Sequence, residues 1–189
     1  MNTNMNQNIN WEYDRFSRHY IVRNTKILFA NFSGAAKQYN QEGRRNFNVV
    51  IPEDFANELK ANGIYIHTLQ PRNDDEDVQY TVKVGVYPDA DIRLVQGNQY
   101  TQAMIDNENK DADMGKIIDA EFQKGRVLNG EVKVEFHISR NTKIPNASPY
   151  LRVDILLLPI RRSMLEDEFN EYMSQFDSDT SDPFDEDED

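Results

Sequence analysis

The sequence predicts a mainly β fold, a small antiparallel barrel with one internal helix and a separate acidic tail. Two segments, 78–86 and 132–139, alternate apolar and polar residues with the period of two that a half-buried strand requires. Strands and helices do not alternate regularly along the chain, which argues against a doubly wound parallel sheet. The last 27 residues contain twelve acids and no lysine or arginine, which sets them apart from the rest of the chain.

Length and composition narrow the class of protein further. A chain of 189 residues is typical of one domain, and its 10 Phe, 9 Tyr and 1 Trp are too many for a wholly disordered polypeptide. No apolar run approaches the roughly 20 residues of a membrane span, and residues 1–10 lack the pattern of a secretory signal. The chain has no cysteine, which excludes disulfides and thiolate chemistry. We therefore expect a soluble, single-domain cytoplasmic protein.

The first half of the chain is predicted to form two strands around a loop. We expect residues 1–10, which are Asn-rich and aperiodic, to be disordered. The segments RNTKILFANF at 23–32 and RRNFNVVI at 44–51 are rich in strand-forming residues. Residues 34–43 begin and end with glycine, which predicts a loop. Of the aromatics here, Phe29 and one of Phe32 or Phe47 are expected in the core.

A short helix and a third strand are expected next. Pro52 begins the helix, acidic residues occupy its first turn, and Gly63 ends it. Residues 64–69 are predicted to be a short strand, which the acidic loop 74–77 follows.

The two alternating segments define the rest of the barrel. Segments 78–86 and 132–139 are predicted to be strands with one wet face, and 149–159 a more buried last strand. Residues 96–125 are polar and are expected to form loops, with one short helix at 101–107.

Six or seven strands and one internal helix fit a five-stranded oligonucleotide-binding barrel with extra hairpins, spanning residues 11–162. A Ser-x-x-Glu capping box at Ser163 begins a predicted amphipathic helix over 163–176. That helix packs either on its own barrel or on a second copy in a homodimer. Residues 177–189 are predicted to be a disordered acidic tail.

The net charge of −12 belongs entirely to the last 27 residues, because the other 162 are neutral. Within the neutral part, residues 11–50 carry a net charge of +4, residues 51–125 carry −8 and residues 126–162 carry +4. Two basic segments therefore flank an acidic one.

Motifs for catalysis or metal binding are not found, so no enzyme, metal or cofactor is predicted. His19, His67 and His137 have no acid at ligand spacing in the sequence and are taken as structural. The acids of 106–113 lack the glycine and ligands of a calcium loop, and 125–130 lacks the Lys-Ser/Thr of a phosphate loop.

The basic segment 11–50 also contains eight aromatic residues, and this mixture is what single-stranded nucleic acid requires. Lysine and arginine follow the phosphates while flat rings stack on unpaired bases. Similar mixtures occur on the wet faces and loops of the later strands. The candidate nucleic-acid-binding residues are Lys37, Tyr39, Arg44, Arg45, Phe47, Lys83, Tyr87, Lys133, Arg140, Lys143, Tyr150 and Arg152.

The tail is predicted to bind partners. Phe184 is a lone ring among carboxylates, so the tail resembles a nucleotide chain in charge and could occupy the protein's own basic groove until DNA displaces it. The freed tail would then dock on a partner. The tail residues assigned to this role are Asp182, Phe184, Asp185, Glu186, Asp187, Glu188 and Asp189.

The stretch FANFSGAAKQYNQEGRRNFNVVIPEDFANELKANG, with its N-F-S-G, Y-N-Q-E-G and R-N-F pieces, is similar to single-stranded DNA-binding proteins of tailed bacteriophages. The pattern resembles the family over residues 26–176. The resemblance implies that the protein coats unwound DNA during phage replication and recombination in the host cytoplasm. It also implies DNA contacts at Lys37, Tyr39, Arg44 and Arg45, and tail contacts to a polymerase or a helicase/primase. Members usually end at or next to the aromatic residue, whereas five acids follow Phe184 here.

Two alternatives come from other classes. An acidic DNA mimic would inhibit a host nucleic-acid enzyme, but its acids should cover the folded surface rather than the terminus. A scaffolding protein would use the tail only for solubility.

Overall fold

A computed structural model of the protein describes residues 8–109, 113–162 and 171–173. Over these ranges the fold is mainly β, as predicted. The elements in chain order are β1 Asn10–Asp14, β2 His19–Thr25, β3 Ile27–Asn31, β4 Asn46–Ile51, α1 Glu53–Ala61, β5 His67–Leu69, β6 Gln79–Gly85, β7 Asp91–Gln96, β8 Gln99–Ala103, α2 Gly115–Gln123, β9 Val132–Ser139 and β10 Tyr150–Pro159.

The strands form one sheet whose hydrogen-bonded path runs β1-β2-β9-β10-β6-β4-β3. In addition, β5 pairs with β6, β7 with β10, and β8 with β7. The path ends at β1 on one side and at β3 on the other, so this path is not closed. β10 runs parallel to β6 and to β7. The sheet is therefore mixed, which corrects the prediction of a purely antiparallel one.

The alternating segments form strands, and most of their side chains lie on the predicted faces. Thr81, on the predicted wet face of β6, is buried as well. Val82 and Val84 of β6 and Val134 and Phe136 of β9 are buried, whereas Lys83 between the two valines is exposed. Apolar side chains occupy every second position of such a strand and are buried together. Their burial fixes the register, because a slip by one residue would turn all of them toward solvent.

The core contains two groups of aromatic rings. In one, Trp11 of β1 stacks on Phe55 of α1 with ring centroids 4.4 Å apart. In the other, Phe32 stacks on Phe47 at 5.4 Å, and both of these rings are fully buried. The loop after β3 and the start of β4 are therefore held to the core from inside.

Phe29 lies outside the core, in contrast to the prediction, with 67% of its surface exposed. The pairing of β3 with β4 is irregular between Leu28 and Asn31, and Phe29 takes a φ of +53°, which is uncommon for a bulky residue. This irregularity interrupts the alternation of side chains on which the prediction depended.

The middle of the chain differs most from the prediction. The helix expected at 101–107 is wrong, because this segment begins in strand β8, which pairs with β7 in a hairpin. A helix does form, but later, as α2. Met114, Ile118 and Phe122 lie four residues apart and give α2 an apolar side, with Ile118 fully buried and the other two packed against the core.

Two further predictions concern the ends of the chain, the disordered segment 1–10 and the helix 163–176. β1 begins at Asn10 and Ile9 is buried, so packing already begins inside the segment predicted to be disordered. The predicted helix 163–176 lies outside the described residues apart from 171–173, which are helical, and the tail 177–189 lies wholly outside them. In the part of the chain that the structure describes, no helix is long and apolar enough to cross a membrane.

Candidate nucleic-acid interface

Neighbouring strands place polar and aromatic side chains in register on the outer face of the sheet. Gly85 of β6 is paired with Arg152 of β10, and Arg152 is paired with His137 of β9. Lys83 and Tyr150 each lie two residues before one of these positions and so belong to the same face. This face is continuous across β6, β10 and β9.

An open groove of about 960 Å³ lies where this face meets two loops, the β3–β4 loop and the β9–β10 loop. The described residues that line the groove include tyrosines, basic residues and side-chain amides but no aspartate or glutamate. The lining of the groove is therefore locally positive in a chain whose net charge is −12. Its polar and aromatic lining consists of Tyr39, Tyr65, Tyr87, Tyr150, Arg44, Arg45, Lys83, His67, Asn40, Gln41, Asn46, Asn107 and Asn141.

The β3–β4 loop is closed at its base by two glycines. The Gly43 N–H donates to the Gly34 carbonyl at 2.8 Å, and Gly34 has a φ of +69°. A Cβ on Gly34 would lie 3.2 Å from the Gly43 backbone, so the two segments approach as closely as they do because Gly34 has no side chain. Gly43 has room for a Cβ but takes a φ of +82°, which favours glycine.

Asn40 holds the same loop from within. Its amide nitrogen donates to the Arg44 carbonyl at 2.8 Å, and its side-chain oxygen accepts a hydrogen bond from Asn46 at 2.7 Å. The same amide nitrogen lies 3.4 Å from the Ala35 carbonyl, so Asn40 holds the backbone on both sides of Tyr39, whose ring is 87% exposed at the groove.

Two basic side chains of the groove are free to bind an anion. Arg44 and Lys83 are exposed and line the groove. Neither side chain forms a hydrogen bond or ion pair within the described part of the chain. They come from the loop and from β6 respectively, so they present two cations from different elements to one groove.

Tyr87 and Arg152 form a preassembled unit at the edge of the groove. The Arg152 guanidinium lies 4.1 Å from the centroid of the Tyr87 ring, and its Nη2 donates to both oxygens of Asp89 at 3.0 Å. Burial, together with the neighbouring Tyr150, raises the pKa of Tyr87, so its phenol is neutral at physiological pH. Arg152 already has two partners, which makes it a weaker candidate for phosphate than Arg44 or Lys83.

Tyr65 is a groove residue that the sequence reasoning missed. Its side chain is 74% exposed, and its ring meets the His67 ring edge-on with centroids 4.7 Å apart. Its neighbours Ile64 and Ile66 are buried. The alternation of Ile64, Tyr65 and Ile66 was the available signal, because it places the tyrosine on the side opposite the core.

Phe47 lies in the core and Arg45, although it borders the groove, is nearly buried and already paired, which corrects their assignment as DNA contacts. Arg45 has a side chain that is only 8% exposed; it is ion-paired with Asp113 and donates to the Phe32 carbonyl. Phe47 is fully buried against Phe32. Because β4 alternates its side chains and begins at Asn46, these two positions support the loop from below instead of facing the ligand.

Four other candidates, Lys37, Lys133, Arg140 and Lys143, are not among the residues that line the groove. The Lys37 ammonium donates to the Ala30 carbonyl at 3.2 Å, the Lys133 ammonium pairs with an adjacent carboxylate at 3.0 Å, and Arg140 donates to a carbonyl of its own loop at 3.3 Å. Lys143 is exposed on the β9–β10 loop. The candidate tail residues of 182–189 lie outside the described residues.

Comparison with known families gives one match. Over residues 12–112, more than half of the chain, the sequence matches the family described as "Putative phage ssDNA-binding domain". The chain belongs to this family. It is a phage-type single-stranded DNA-binding protein, as the resemblance in the sequence implied, and families of this kind are typically non-enzymatic. No curated protein and no solved structure matches the chain.

The matched range contains the end of β1 and all of β2 to β8, and therefore most of the groove, including the β3–β4 loop, Tyr65 and β6. Tyr150 and the β9–β10 loop lie beyond it. The groove is thus completed by a part of the chain that the family match does not cover.

Proposed function

We propose that this protein coats single-stranded DNA by laying it along the groove between the β3–β4 loop and the β6–β10 face. The observation that carries the proposal is a groove with four tyrosines and free basic side chains and no carboxylate among its described residues. Arg44 and Lys83 would contact phosphates, and Tyr39 and Tyr65 would stack on bases. Stacking of this kind contributes about 1–3 kcal/mol per base and tolerates any sequence.

An oligonucleotide-binding barrel is the architecture that best accounts for this arrangement. β2 and β3 are separated by Lys26 alone, whose carbonyl accepts a hydrogen bond from Val50 of β4 at 3.0 Å. If β2 and β3 act as one bent strand, the pairings with β4, β6, β10 and β9 form a ring of five strands. The groove then lies on the second and third strands and between the first and last loops, which is where such barrels bind oligonucleotides.

The biological role that fits is protection of unwound DNA during phage replication and recombination in the host cytoplasm, without enzymatic activity. In this proposal the acidic tail competes with DNA for the groove and, once displaced, recruits a polymerase or a helicase/primase. Support comes from charge: twelve acids follow residue 162, and the groove has no described acid with which they would clash. An acid-free groove is also the opposite of what a DNA mimic would present.

The test is fluorescence anisotropy of a labelled oligo(dT) of about 30 nucleotides at roughly 50 and 200 mM salt. We compare the full chain, a 1–176 truncation, the double variant Arg44→Ala/Lys83→Ala and the control Lys124→Ala. Lys124 is exposed and follows α2, away from the groove lining. The double variant should bind more weakly and reduce the salt slope by about 1.4, since each phosphate contact contributes about 0.7 on a single strand.

The outcomes separate the parts of the proposal. No binding by the full chain or the truncation at low salt would overturn DNA binding by this protein. Binding that Arg44→Ala/Lys83→Ala and Lys124→Ala weaken equally would move the site away from the groove. Binding that does not tighten on truncation would remove the competing role of the tail and leave the groove in place.

A further inference from the structure

We propose that His19, His137 and Asp154 form a binding site for a first-row divalent transition ion of the Zn²⁺ type. The three residues come from β2, β9 and β10, and one ligand atom of each lies within 4.8 Å of the others. From the sequence both histidines are interpreted as structural, because no acid lies at ligand spacing from either of them along the chain. The acid is supplied instead by a neighbouring strand.

The distances match the ligand shell of a small ion. His137 Nδ1 lies 2.8 Å from Asp154 Oδ2, and His19 Nε2 lies 3.4 Å from the same oxygen. Ligands at about 2.0–2.1 Å from a tetrahedral Zn²⁺ are about 3.3 Å from one another. The separation between His19 and Asp154 is therefore already that of two ligands of one ion. The contact between His137 and Asp154 is a hydrogen bond in this structure and would lengthen by about 0.5 Å when an ion replaces its proton.

A β-bulge brings the carboxylate into place. The register of β10 against β9 shifts between Val153 and Ile155, so Asp154 is the extra residue. Bulges of this kind redirect a side chain and often occur beside functional sites. Here the redirected side chain points to the outer face of the sheet, where it meets both imidazoles.

A nearby carboxylate supplies the second layer of the site. His19 Nδ1 is buried without a hydrogen-bond partner, and Glu135 Oε2 lies 3.8 Å from it. A histidine that binds a metal through Nε2 usually donates its Nδ1–H to a carboxylate, which fixes the tautomer and the ring orientation. At 3.8 Å the two atoms are not yet hydrogen-bonded, and the other oxygen of Glu135 is ion-paired with Lys133. An ion on His19 Nε2 would place the proton on Nδ1, and a small movement of the imidazole would bring that proton to Glu135.

The donor set selects the ion. Two imidazoles and one carboxylate suit Zn²⁺ and its first-row neighbours, whereas Mg²⁺ and Ca²⁺ take oxygen ligands. A bound ion would connect three strands and fix the β1–β2 hairpin, since His19 is the first residue of β2. Water would complete the coordination.

The test uses the full chain after removal of metals with a chelator, titrated with ZnCl2 by calorimetry and with CoCl2 by visible absorption. The variants are His137→Ala, Asp154→Asn and Glu135→Gln, and the matched control is His67→Ala, which removes the third histidine of the chain. We expect one Zn²⁺ per chain, an intense tetrahedral Co²⁺ spectrum, and loss of both in His137→Ala and Asp154→Asn. Glu135→Gln should weaken Zn²⁺ binding about 10–100-fold, and His67→Ala should leave Zn²⁺ binding unchanged.

Thermal unfolding provides the second readout and covers the case in which His137→Ala does not fold. A hundredfold excess of free Zn²⁺ over its Kd should raise the Tm of the wild type and of His67→Ala by about 5–10 °C and leave Asp154→Asn unchanged. Zn²⁺ binding that persists equally in Asp154→Asn would place the ion elsewhere in the chain and overturn the proposal. Absence of stoichiometric binding to the wild type, or a weak octahedral Co²⁺ spectrum, would overturn it as well.

Discussion

The two sides of the segment from Phe32 to Phe47 have similar composition and opposite roles. On the outer side, Tyr39 and Arg44 face the groove, and their side chains have no hydrogen-bond or ion-pair partner among the described residues. On the inner side, Arg45 is ion-paired with Asp113 and Phe47 is in the core. Basic and aromatic side chains within a few residues of one another thus divide between the open groove and the support beneath it. Only the element packed beneath them decides on which side each lies.

The largest expected effect is on the free energy of unfolding, in a comparison of Phe47 with Phe29. The sequence predicts Phe29 in the core, whereas the structure exposes Phe29 and buries Phe47. Phe47→Ala should lower the free energy of unfolding by about 3–5 kcal/mol, because it removes a fully buried ring and leaves a cavity. Phe29→Ala, at an exposed ring, should change it by less than about 0.5 kcal/mol. Urea unfolding of both variants measures this, and equal losses would contradict the inner and outer division.

Breaking the buried ion pair between Arg45 and Asp113 should lower the free energy of unfolding by nearly as much as Phe47→Ala. Burial acts to raise the pKa of Asp113, but the hydrogen bonds from Arg45 and from the Gly115 N–H outweigh it, so the pKa lies below the ordinary 3.8. Asp113→Asn should therefore destabilise the fold by about 3 kcal/mol at neutral pH, since it leaves the Arg45 charge buried without its counter-ion. Asp75→Asn, in an exposed loop, is the control.

The same pair predicts a pH dependence with a definite sign. A carboxyl whose pKa is lowered by folding contributes stability that is fully present above 3.8 and is lost as pH falls through the lower pKa of the folded state. The difference in unfolding free energy between wild type and Asp113→Asn should be constant from neutral pH down to about pH 5 and shrink below pH 4. A difference that grows on acidification would show that the ion pair is not its source.

On the outer side, the tyrosines should affect DNA binding and leave stability unchanged. Tyr39→Ala and Tyr65→Ala should each weaken oligo(dT) binding by about 5–150-fold, which corresponds to 1–3 kcal/mol per stacked base. Tyr100→Ala is the control, because Tyr100 is 59% exposed on β8 and does not line the groove. Anisotropy titrations measure the affinities; an effect in the control as large as that of Tyr39→Ala would place the stacking elsewhere.

The smallest expected effect is electrostatic. Lys83→Ala should reduce the slope of log affinity against log salt by about 0.7 and hardly change stability, because its ammonium has no partner among the described residues. Lys133→Ala removes an ammonium that is ion-paired and outside the groove lining, and its slope should equal that of the wild type.

Much of the strand pattern could be predicted from local sequence. Segments 78–86 and 132–139 alternate so regularly that their buried faces follow directly, and Pro52 and Gly63 mark the limits of α1. The hairpin β7–β8 and α2 were missed, although the Gly97-Asn98 pair and the spacing of Met114, Ile118 and Phe122 were available as signals. Weak local patterns of this kind become decisive only when the surface that they pack against is known.

The residues of the candidate site, like the elements of the fold, were predicted only in part from the sequence. The sequence suggested Tyr39, Arg44, Lys83, Tyr87 and Tyr150 as contacts, and the structure brings all five to one groove. The sequence could not separate Arg44 from Arg45, because their difference depends on Asp113, nearly seventy residues away.

By itself, the sequence determined the mainly β class, the faces of its regular strands, the family, and the concentration of the net charge in the last 27 residues. These properties are local or additive, since periodicity and charge can be counted along the chain. Tertiary structure alone decided which basic side chains have no partner among the described residues, and that Phe29 is exposed while Phe32 and Phe47 are both buried. It also decided that Asp154 meets two histidines from other strands. Each of these depends on contacts between residues far apart in sequence, which strand pairing and a bulge create and local pattern does not encode.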